Sequence, residues 1–393
     1  VLEYLIGQGY VKMEKYFIDG TKIEANANRY SFVWRKSTEN YRKKLEEKVR
    51  EMLEEVERVN AEEEESYGDK DLEELGEEAE IDSDGLKELA KRLSEKLKDK
   101  PKDKQIKKAV KKLERDFIPR MEKYERYEET FKGRNSFSKT DEDATFMCMK
   151  EDHMRNGQLK PAYNWQISTQ DQFILGYTIH QTTTDTTTLP AHMESLEETL
   201  GQMPDTLVAD AGYGSEENYE YLENKGIDAY VKFNNFHKEQ TKKWKENPHR
   251  IENLYYNEEL DCYFCPMGQA MTFIGERTQI SKLGYKQFYR QYQAQNCKGC
   301  PMRGPCHKAI GNRVLDANTK LIRYKQDIRE KLYSETGLKY RSQRPVDVEA
   351  VFGIIKYNHH FKRFLLRGLD KTEIEAGLIS MAHNLRKMAN YSP

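Results

Sequence analysis

A short apolar strand near the start of the chain is followed at once by a carboxylate, and this position constrains the fold more than any other. Tyr16, Phe17 and Ile18 are residues that favour strands. Asp19 and Gly20 follow them directly. An Asp-Gly pair is common in the two-residue turn of a β-hairpin. The alternative is an acid inside a strand for a chemical reason, since functional sites are where local patterning is expected to fail.

The composition describes a globular chain with a very polar surface. Of its 393 residues, 37% are hydrophobic and 34% are charged, which is enough for two or three domains or for one domain with large insertions. No apolar run is long enough to span a membrane. The six cysteines, four of them in two CxxC pairs, fit a reducing compartment, so we expect a cytoplasmic protein. The chain begins at Val1 without methionine, so we expect that an N-terminal region is missing.

The net charge of −2 conceals a strong asymmetry. Residues 51–80 contain fifteen acidic and two basic residues, whereas residues 320–387 contain fifteen basic and eight acidic residues. A basic C-terminal third suits a polyanionic partner, and the acidic segment would repel one. An ordinary solvated surface is the alternative, and charge alone does not decide between them.

The pattern along the chain predicts strands that alternate with helices, separated by two insertions. Apolar residues at spacings of three and four predict charged helices within 37–135, with an acidic connection from Glu62 to Gly85. Alternating residues predict an antiparallel hairpin over 163–179, followed by a helix near 190–200. TLVADAGYGS predicts a buried strand that ends at Asp210, with Ser215 capping the next helix. AYVKF, residues 229–233, predicts one more buried strand.

The segment RPVDVEAVFGIIKYN, residues 344–358, predicts an amphipathic helix that begins at Pro345. Its apolar stripe consists of Val348, Val351, Phe352 and Ile355. Glu349 and Lys356 are seven residues apart, about two turns, and therefore point the same way beside that stripe. By itself this pair also fits an exposed Glu and Lys on an ordinary surface helix.

Three carboxylates lie on elements that could meet: Asp19 on the first strand, Asp210 at the end of a later strand, and Glu349 on the C-terminal helix. Phosphoryl transfer from DNA uses two divalent cations, one to activate the nucleophile and one to stabilise the leaving oxygen. Magnesium prefers hard oxygen ligands and keeps several waters, so two or three carboxylates suffice to bind it. The sequence therefore predicts a metal-dependent site shared by these three acids.

Several segments together resemble the DDE transposases of bacterial insertion sequences, in particular the group named insertion sequence eleven-eighty-two. The resembling segments are FIDGTKIEANANRYSFVWRK, TDEDATFM, NGQLKPAYNWQIS, TDTTTL, VADAGYGSEENYEYL, the cysteine segment, RPVDVEAVFGIIKYN, FKRFLLRG and AHNLRKMA. They cover most of the chain outside the charged helices. The resemblance implies an α/β fold with an RNase H-like mixed sheet flanked by helices.

The resemblance also implies roles for individual residues. Asp19, Asp210 and Glu349 match the three acids that bind Mg²⁺ or Mn²⁺, and Lys356 matches a lysine expected to contact DNA. Related transposases place a tyrosine and an arginine before the glutamate. Tyr340 and Arg344 are the nearest residues here, with Arg344 one residue further upstream. The family also carries a helical region before the first aspartate, which only 18 residues precede here.

Two CxxC pairs, Cys262/Cys265 and Cys297/Cys300, are separated by 31 residues. This pattern is typical of a structural tetrahedral zinc site. Reduced cysteines in a small apolar subdomain are the alternative. Cys306 and His307 follow and could replace one ligand or remain unused.

These observations predict five segments: residues 1–36 begin the RNase H-like core, 37–135 are a helical insertion, 136–236 continue the core, 237–318 are a cysteine-rich insertion, and 319–393 hold the C-terminal helices. The expected function is a transposase that cuts the inverted repeats at the ends of an element and joins them to target DNA. We expect phosphate contacts from residues near the last acid: Arg344, Lys356, Lys362, Arg363 and Arg367. A homodimer on double-stranded DNA, associated with the bacterial nucleoid, is also expected. The alternatives are an inactive or domesticated DNA-binding remnant and a nuclease of the same fold that does not join strands.

Overall fold

The structure is a computed structural model, and it describes residues 1–67, 81–99, 103–149 and 157–390. The chain divides into two compact units. The first unit contains residues 1–23, 163–365 and 370–393, and the second contains residues 24–162 and 366–369. Strands and helices occur in both units, so the mixed α/β class predicted from the sequence is confirmed.

The strands of the described residues are, in chain order, β1 (Lys15–Glu24), β2 (Phe32–Trp34), β3 (Ser136–Ser138), β4 (Thr145–Cys148), β5 (Leu159–Gln170), β6 (Phe173–His180), β7 (Thr206–Ala209), β8 (Asp228–Val231), β9 (Tyr255–Asn257), β10 (Cys262–Phe264), β11 (Ala270–Ile280), β12 (Lys286–Ala294) and β13 (Val314–Ala317).

The α-helices of the same residues are α1 (Leu2–Gly7), α2 (Arg35–Tyr67), α3 (Ser83–Asp99), α4 (Lys104–Lys112), α5 (Ile118–Phe131), α6 (Leu189–Leu200), α7 (Glu216–Asn224), α8 (Lys242–Lys245), α9 (Arg303–Cys306), α10 (Thr319–Tyr333), α11 (Glu335–Arg344), α12 (Ala350–Gly353) and α13 (Leu369–Ala389). Three π-helical turns join neighbouring helical segments or extend them: Leu113–Phe117, Pro345–Glu349 and Ile354–Asn358.

The main sheet of the first unit has the strand order β6-β5-β1-β7-β8. The predicted hairpin is present, because β5 and β6 pair antiparallel. β1 pairs parallel with β7, and β7 pairs parallel with β8. The predicted cap is also confirmed, since the Ser215 hydroxyl accepts a hydrogen bond from the Asn218 backbone N–H at the start of α7. Parallel pairing matters for the site because it places the carboxyl end of β7, at Ala209, beside Ile18 in the middle of β1.

Aromatic side chains fill the core between this sheet and the C-terminal segment. Trp165 on β5 is fully buried. Its ring packs edge-on against Phe352 and Phe361, with ring centroids 6.1 and 6.0 Å apart. The predicted apolar stripe is correct, because Val348, Val351, Phe352 and Ile355 are all buried. Burying one side chain of this size contributes roughly 1.5–3 kcal/mol relative to leaving it exposed. This burial fixes the helical segment that carries Glu349 onto the sheet.

The predicted helix start at Pro345 is wrong. The chain is already helical in α11, and Pro345 opens a π-helical turn that leads into α12. Proline has no backbone N–H and its ring displaces the preceding turn, so it disturbs the regular i to i−4 ladder. A π-turn inserts one extra residue without ending the helix. Asp347 anchors this turn, since its carboxylate accepts hydrogen bonds from the Thr169 hydroxyl at 2.6 Å and the Gln172 N–H at 3.2 Å.

A second sheet of the first unit lies within residues 255–317 and is antiparallel, in the order β13-β12-β11-β10-β9. Its small core consists mainly of Tyr263, Met271, Tyr292 and Leu315. The outer halves of β11 and β12 carry mostly exposed or half-buried side chains. The cysteines discussed below lie at the end of this sheet where β10 leads into β11.

The second unit consists largely of the charged helices α2 to α5. Their apolar faces form one buried cluster that includes Leu45, Val49, Leu93, Leu113 and Phe117. Two short strands, β2 and β3, pair antiparallel beside α5, and β4 pairs with residues 159–162 of β5. The acidic connection predicted for Glu62 to Gly85 is wrong at both ends, because residues 62–67 belong to α2 and residues 83–85 belong to α3. Residues 68–80 of this prediction lie outside the described residues. No helix in the described ranges is both long and apolar enough to cross a bilayer.

Helix α6 is attached to the β5–β6 hairpin through a buried histidine. His192 lies between two hydroxyls, with its Nε2 2.8 Å from Ser168 Oγ and its Nδ1 2.8 Å from Thr178 Oγ1. Burial and, to a smaller extent, the nearby His180 together lower the pKa of His192 to about 3. The ring is therefore neutral in the folded protein at physiological pH.

We predict that His192 makes the protein less stable in mild acid. Its pKa in the unfolded chain is about 6.5, above the folded value, so the unfolded state binds the proton first. Above a pH of about 6.5, His192 therefore does not lower the free energy of unfolding. Below it, the free energy of unfolding falls by about 1.4 kcal/mol for each pH unit, until the histidine of the folded protein also takes up its proton. In urea-unfolding curves at pH 7.5, 6.0 and 5.0, His192→Gln should lose stability less steeply than wild type. His360→Gln, which changes an exposed histidine, is the matched control. Equal slopes for wild type and His192→Gln would contradict the prediction.

Candidate active site

The parallel pairing of β1 with β7 brings two of the predicted acids together. Ile18 is the register partner of Ala209, and Asp19 and Asp210 are the residues that follow on each strand. Asp19 lies inside β1 and is buried, so the hairpin-turn alternative for this residue is wrong. Asp210 follows the last residue of β7, and 39% of its side chain is exposed. One acid is therefore held within the sheet and the other at its accessible edge.

The π-turn after α11 brings the third acid to the same place. Glu349 is the last residue of that turn, and 48% of its side chain is exposed. Val348 beside it is fully buried and orients the turn. Because the turn holds one residue more than an α-helical turn, Arg344 lies near Glu349 despite being five positions upstream.

Arg344 connects all three acids. Its Nη2 lies 3.0 Å from Asp19 Oδ1 and 3.8 Å from Asp210 Oδ2, and its Nη1 donates to Glu349 Oε1 at 2.5 Å. The guanidinium is nearly inaccessible, with 6% of the side chain exposed. Three carboxylates from distant parts of the sequence thus lie around one buried cation, and the acids predicted from the sequence do converge.

The donor chemistry at this site fits divalent cations. Three carboxylates are the hard oxygen ligands that Mg²⁺ and Mn²⁺ prefer. In this structure the guanidinium supplies the positive charge among them. Within the described ranges, no three histidine, cysteine or acidic side chains are already arranged as a metal-binding group. Asp19, Asp210 and Glu349 are therefore candidate ligands whose arrangement here is set by Arg344.

A fourth carboxylate, Asp185, lies beside the site and was not predicted from the sequence. Its Oδ1 accepts hydrogen bonds from the side-chain amides of Asn164 at 2.7 Å and Gln166 at 2.9 Å. A Cβ atom at Gly20 would lie 2.7 Å from Asp185 Oδ1, and one at Gly212 would lie 3.3 Å from Oδ2. Gly20 directly after Asp19, and Gly212 two residues after Asp210, thus leave room for this carboxylate, and Gly20 also leaves room for the Gln166 amide. Two features of the sequence could have indicated Asp185: these glycines and the polar residues of β5. The alternating pattern of β5 by itself assigns those polar residues to the solvent face.

A buried tyrosine joins Asp185 to the loop after β7. The Tyr213 hydroxyl donates to Gln166 Oε1, and Gln166 in turn donates to Asp185. Burial raises the pKa of Tyr213 well above its usual range, and the charges of Asp19, Asp185 and Asp210 raise it further. The phenol therefore stays protonated and remains a hydrogen-bond donor. This chain of bonds fixes the loop in which Asp210 lies.

A second cation, Lys232, lies near the same acids. Burial lowers the pKa of Lys232, and the positive charges of Arg344 and Arg341 lower it further, whereas Asp210 and Glu349 oppose the shift. Its position directly after β8, the strand next to β7, explains this proximity. The sequence analysis assigned Lys232 no role.

The residues predicted to contact DNA lie in different environments. Lys356 is buried, and its ammonium donates to the Lys22 carbonyl at 3.2 Å. Arg344 is enclosed by the three acids. Lys362 and Arg363 are exposed, with the Lys362 ammonium 4.7 Å from the centroid of the Tyr357 ring. Arg367 is exposed in the second unit and donates to the Asn26 carbonyl at 2.7 Å. DNA contact by any of them stays a prediction.

The predicted zinc ligands do not form one group in this structure. Cys262 lies on β10 with its side chain buried, whereas Cys265 follows the strand. Cys297 and Cys300 belong to a turn after β12, and all of these cysteines are free thiols. Zinc binding by this ligand set stays a prediction.

One of the comparisons with known proteins found a match to the C-terminal part of the chain. A family model described as a transposase DDE domain matches residues 264–389. The matched segment contains Arg344, Glu349 and Lys356, while Asp19 and Asp210 lie before it. The match supports a DDE transposase, and with it an enzyme of the nuclease or transposase kind with a DNA substrate. Comparison with curated proteins and with solved structures found no match.

We predict that Arg344 offsets the repulsion among the three acids. Arg344→Gln should lower the free energy of unfolding by roughly 3–5 kcal/mol, because it removes one partner of the buried pair with Asp19. Millimolar Mg²⁺ should recover part of the loss, while NaCl at equal ionic strength should not. Arg341→Gln on the same helix, where the guanidinium stacks on Phe236 and Tyr333, is the matched control. An Arg344→Gln variant that is as stable as the control and indifferent to Mg²⁺ would rule this account out.

Proposed function

We propose that the chain is a DDE transposase that cleaves DNA at the ends of a mobile element and joins the released 3′-hydroxyls to target DNA. The observation that carries the proposal is the convergence of Asp19, Asp210 and Glu349 around Arg344. These acids come from two parallel strands and a C-terminal helical segment, and an ordinary structural ion pair does not require three carboxylates. The match of the C-terminal part to a transposase DDE domain supports the same assignment.

We further propose that the main sheet is RNase H-like. It has an antiparallel hairpin, β5–β6, on one side of β1, and the parallel strands β7 and β8 on the other. The acids lie on the central strand β1 and directly after its neighbour β7. In this interpretation residues 37–135 and 237–318 are insertions into that core, as the sequence analysis expects.

Asp19, Asp210 and Glu349 would hold Mg²⁺ or Mn²⁺. Such cations activate the attacking oxygen and stabilise the leaving oxygen of a phosphodiester. The residues of the chain itself position these ligands. Arg344 fixes the Glu349 carboxylate beside the two aspartates, and Asp185 orients the amides that hold Tyr213 and the loop with Asp210. Asp185 is thus a positioning residue in this proposal.

The substrate would be double-stranded DNA, with contacts to its phosphates from the exposed side chains of Lys362, Arg363 and Arg367. Phosphate contacts position a duplex without reading its sequence. Lys356 would reach DNA only by leaving the Lys22 carbonyl. A homodimer is proposed because two element ends must be cut and joined together, and a bacterial protein with this activity would work at the nucleoid.

We predict that each acid is required for strand cleavage. Asp19→Asn, Asp210→Asn and Glu349→Gln should each lower the rate of Mg²⁺-dependent nicking by a factor on the order of 10³ or more, because the charge that stabilises the transition state is lost. The assay uses duplex DNA with the repeats that flank the reading frame, and it follows nicked and joined products separately. Glu330→Gln, an exposed acid on α10, is the matched control.

Circular dichroism shows whether each variant folds, and a binding assay shows whether it still binds DNA. Variants that fold and bind DNA but do not nick support the proposal. Wild type that binds but never nicks indicates an inactive remnant, and wild type that nicks without joining indicates a nuclease. An acid variant that nicks at the wild-type rate would remove that residue from the site.

We predict that DNA binding depends steeply on salt. The affinity should fall between 50 and 200 mM NaCl, because each phosphate contact releases condensed counterions. Replacing Lys362 and Arg363 together with alanine should lower the slope of log K against log[salt] by about 2. Lys48→Ala, an exposed lysine of α2, should leave the slope unchanged. A slope that is the same for the double variant and for wild type would contradict a role of these residues.

A further inference from the structure

A small cavity at the end of the second sheet is lined by sulfur. Its volume is about 20 Å³, close to the space of one ion or water. Among its lining residues are four cysteines and a histidine: Cys265, Cys297, Cys300, Cys306 and His307. The cavity lies wholly in the first unit, and the proposed DNA chemistry uses none of these residues.

Two tight turns and a short helix bring the cysteines to this cavity. In the first turn the Gly268 N–H donates to the Cys265 carbonyl at 2.8 Å, and Gly268 has a φ of +76°. In the second the Cys300 N–H lies 3.4 Å from the Cys297 carbonyl. Cys306 is the last residue of α9.

Cys262 is not among the residues that line the cavity. It lies on β10, where successive side chains alternate between the two faces of the sheet. Tyr263 belongs to the small core of the second sheet, and Cys265 packs against that core. Cys262 is next to Tyr263 on the strand and therefore points to the opposite face, whereas Cys265 lies in the turn after the strand. Of the first CxxC pair, only Cys265 therefore reaches the cavity.

A buried arginine donates hydrogen bonds to two of the sulfurs. The Arg313 backbone N–H donates to Cys297 Sγ at 3.4 Å, and its Nη1 donates to Cys306 Sγ at 3.3 Å. Arg313 is 9% exposed, and its Nη2 donates to the His249 carbonyl at 2.6 Å. In the described part of the chain this guanidinium has no carboxylate partner. A buried cation requires a compensating charge, and thiolates beside it would supply one.

We propose that Cys265, Cys297, Cys300 and Cys306 bind one Zn²⁺ ion as four thiolates. Zinc with four thiolates carries a net charge of −2, and the buried Arg313 offsets one unit of it. Hydrogen bonds from N–H groups to sulfur are the usual outer partners of such ligands. In this structure the four sulfur atoms do not converge on one point. Rotation about the Cα–Cβ bond of each cysteine would change the direction of its sulfur. With all four positions filled by protein the ion is structural, because no position is left for a water or a substrate.

His307 is the rival for the fourth position. It lines the cavity, and both of its ring nitrogens are buried without a hydrogen-bond partner among the described residues. The hydrogen bond from Arg313 to Cys306 Sγ favours Cys306 instead, because it would stabilise the thiolate form of that cysteine. Arg313 makes no such bond to the His307 ring. Adjacent residues rarely both reach one tetrahedral ion, so the two assignments exclude each other.

The test compares the zinc content of single variants of the whole chain. Protein purified under reducing conditions in zinc-supplemented buffer and then dialysed is analysed by elemental mass spectrometry. Wild type should retain one zinc per chain. Cys265→Ser, Cys297→Ser, Cys300→Ser and Cys306→Ser should each lose most of it. Cys262→Ser and His307→Ala should retain it, and these are the matched controls.

A second measurement keeps the proposal testable if the serine variants do not fold. Cobalt(II) bound to wild type should show thiolate-to-metal charge-transfer absorption, and a chelator should make four additional cysteines reactive toward a thiol reagent. Wild type that binds neither metal with its thiols reduced would overturn the proposal. Retention of zinc by Cys306→Ser with its loss in His307→Ala or Cys262→Ser would overturn the ligand assignment.

Discussion

The buried guanidinium of Arg344 is the interaction on which the arrangement of the site depends. Carboxylates as close as Asp19, Asp210 and Glu349 repel one another unless positive charge lies among them. Arg344 supplies that charge from within the protein, at 3.0 Å from Asp19 and 2.5 Å from Glu349. Because a guanidinium carries five N–H donors in one rigid plane, it can contact several carboxylates at once, which a lysine ammonium does less well.

The surrounding fold serves to hold this group of charges in place. Parallel pairing of β1 with β7 aligns the two aspartates, and the buried stripe of the C-terminal segment fixes the glutamate. The π-turn at Pro345–Glu349 adjusts the spacing between Arg344 and Glu349 by one residue. That spacing was the point at which the sequence departed from the transposases it resembles, and the turn gives a physical reason why the departure is tolerated.

The sequence predicted those parts of the structure that follow from local periodicity. The β5–β6 hairpin, the Ser215 cap and the apolar stripe near Glu349 were predicted correctly, because each depends on residues a few positions apart. The prediction that a helix starts at Pro345 was wrong, because the chain is already helical in α11. Tertiary contacts of α11 override the local tendency of proline to begin a helix. Asp185 was missed because its role depends on amides and glycines that are distant in sequence. The spacing of the cysteines likewise does not show on which face of β10 Cys262 lies. That face depends on how β10 pairs with its neighbouring strands.

The central claim is that Asp19, Asp210 and Glu349 together bind the cations of a DNA-cutting site. Crystals of the protein with DNA, grown in Mn²⁺ and measured at the manganese absorption edge, test it most directly. The account predicts two anomalous peaks roughly 3.5–4 Å apart, each bonded to at least one of these carboxylates. Arg344 should have left the position between them. Saturating Mn²⁺ with no peak bonded to Asp19 or Glu349, and with Arg344 still between the acids, would contradict it.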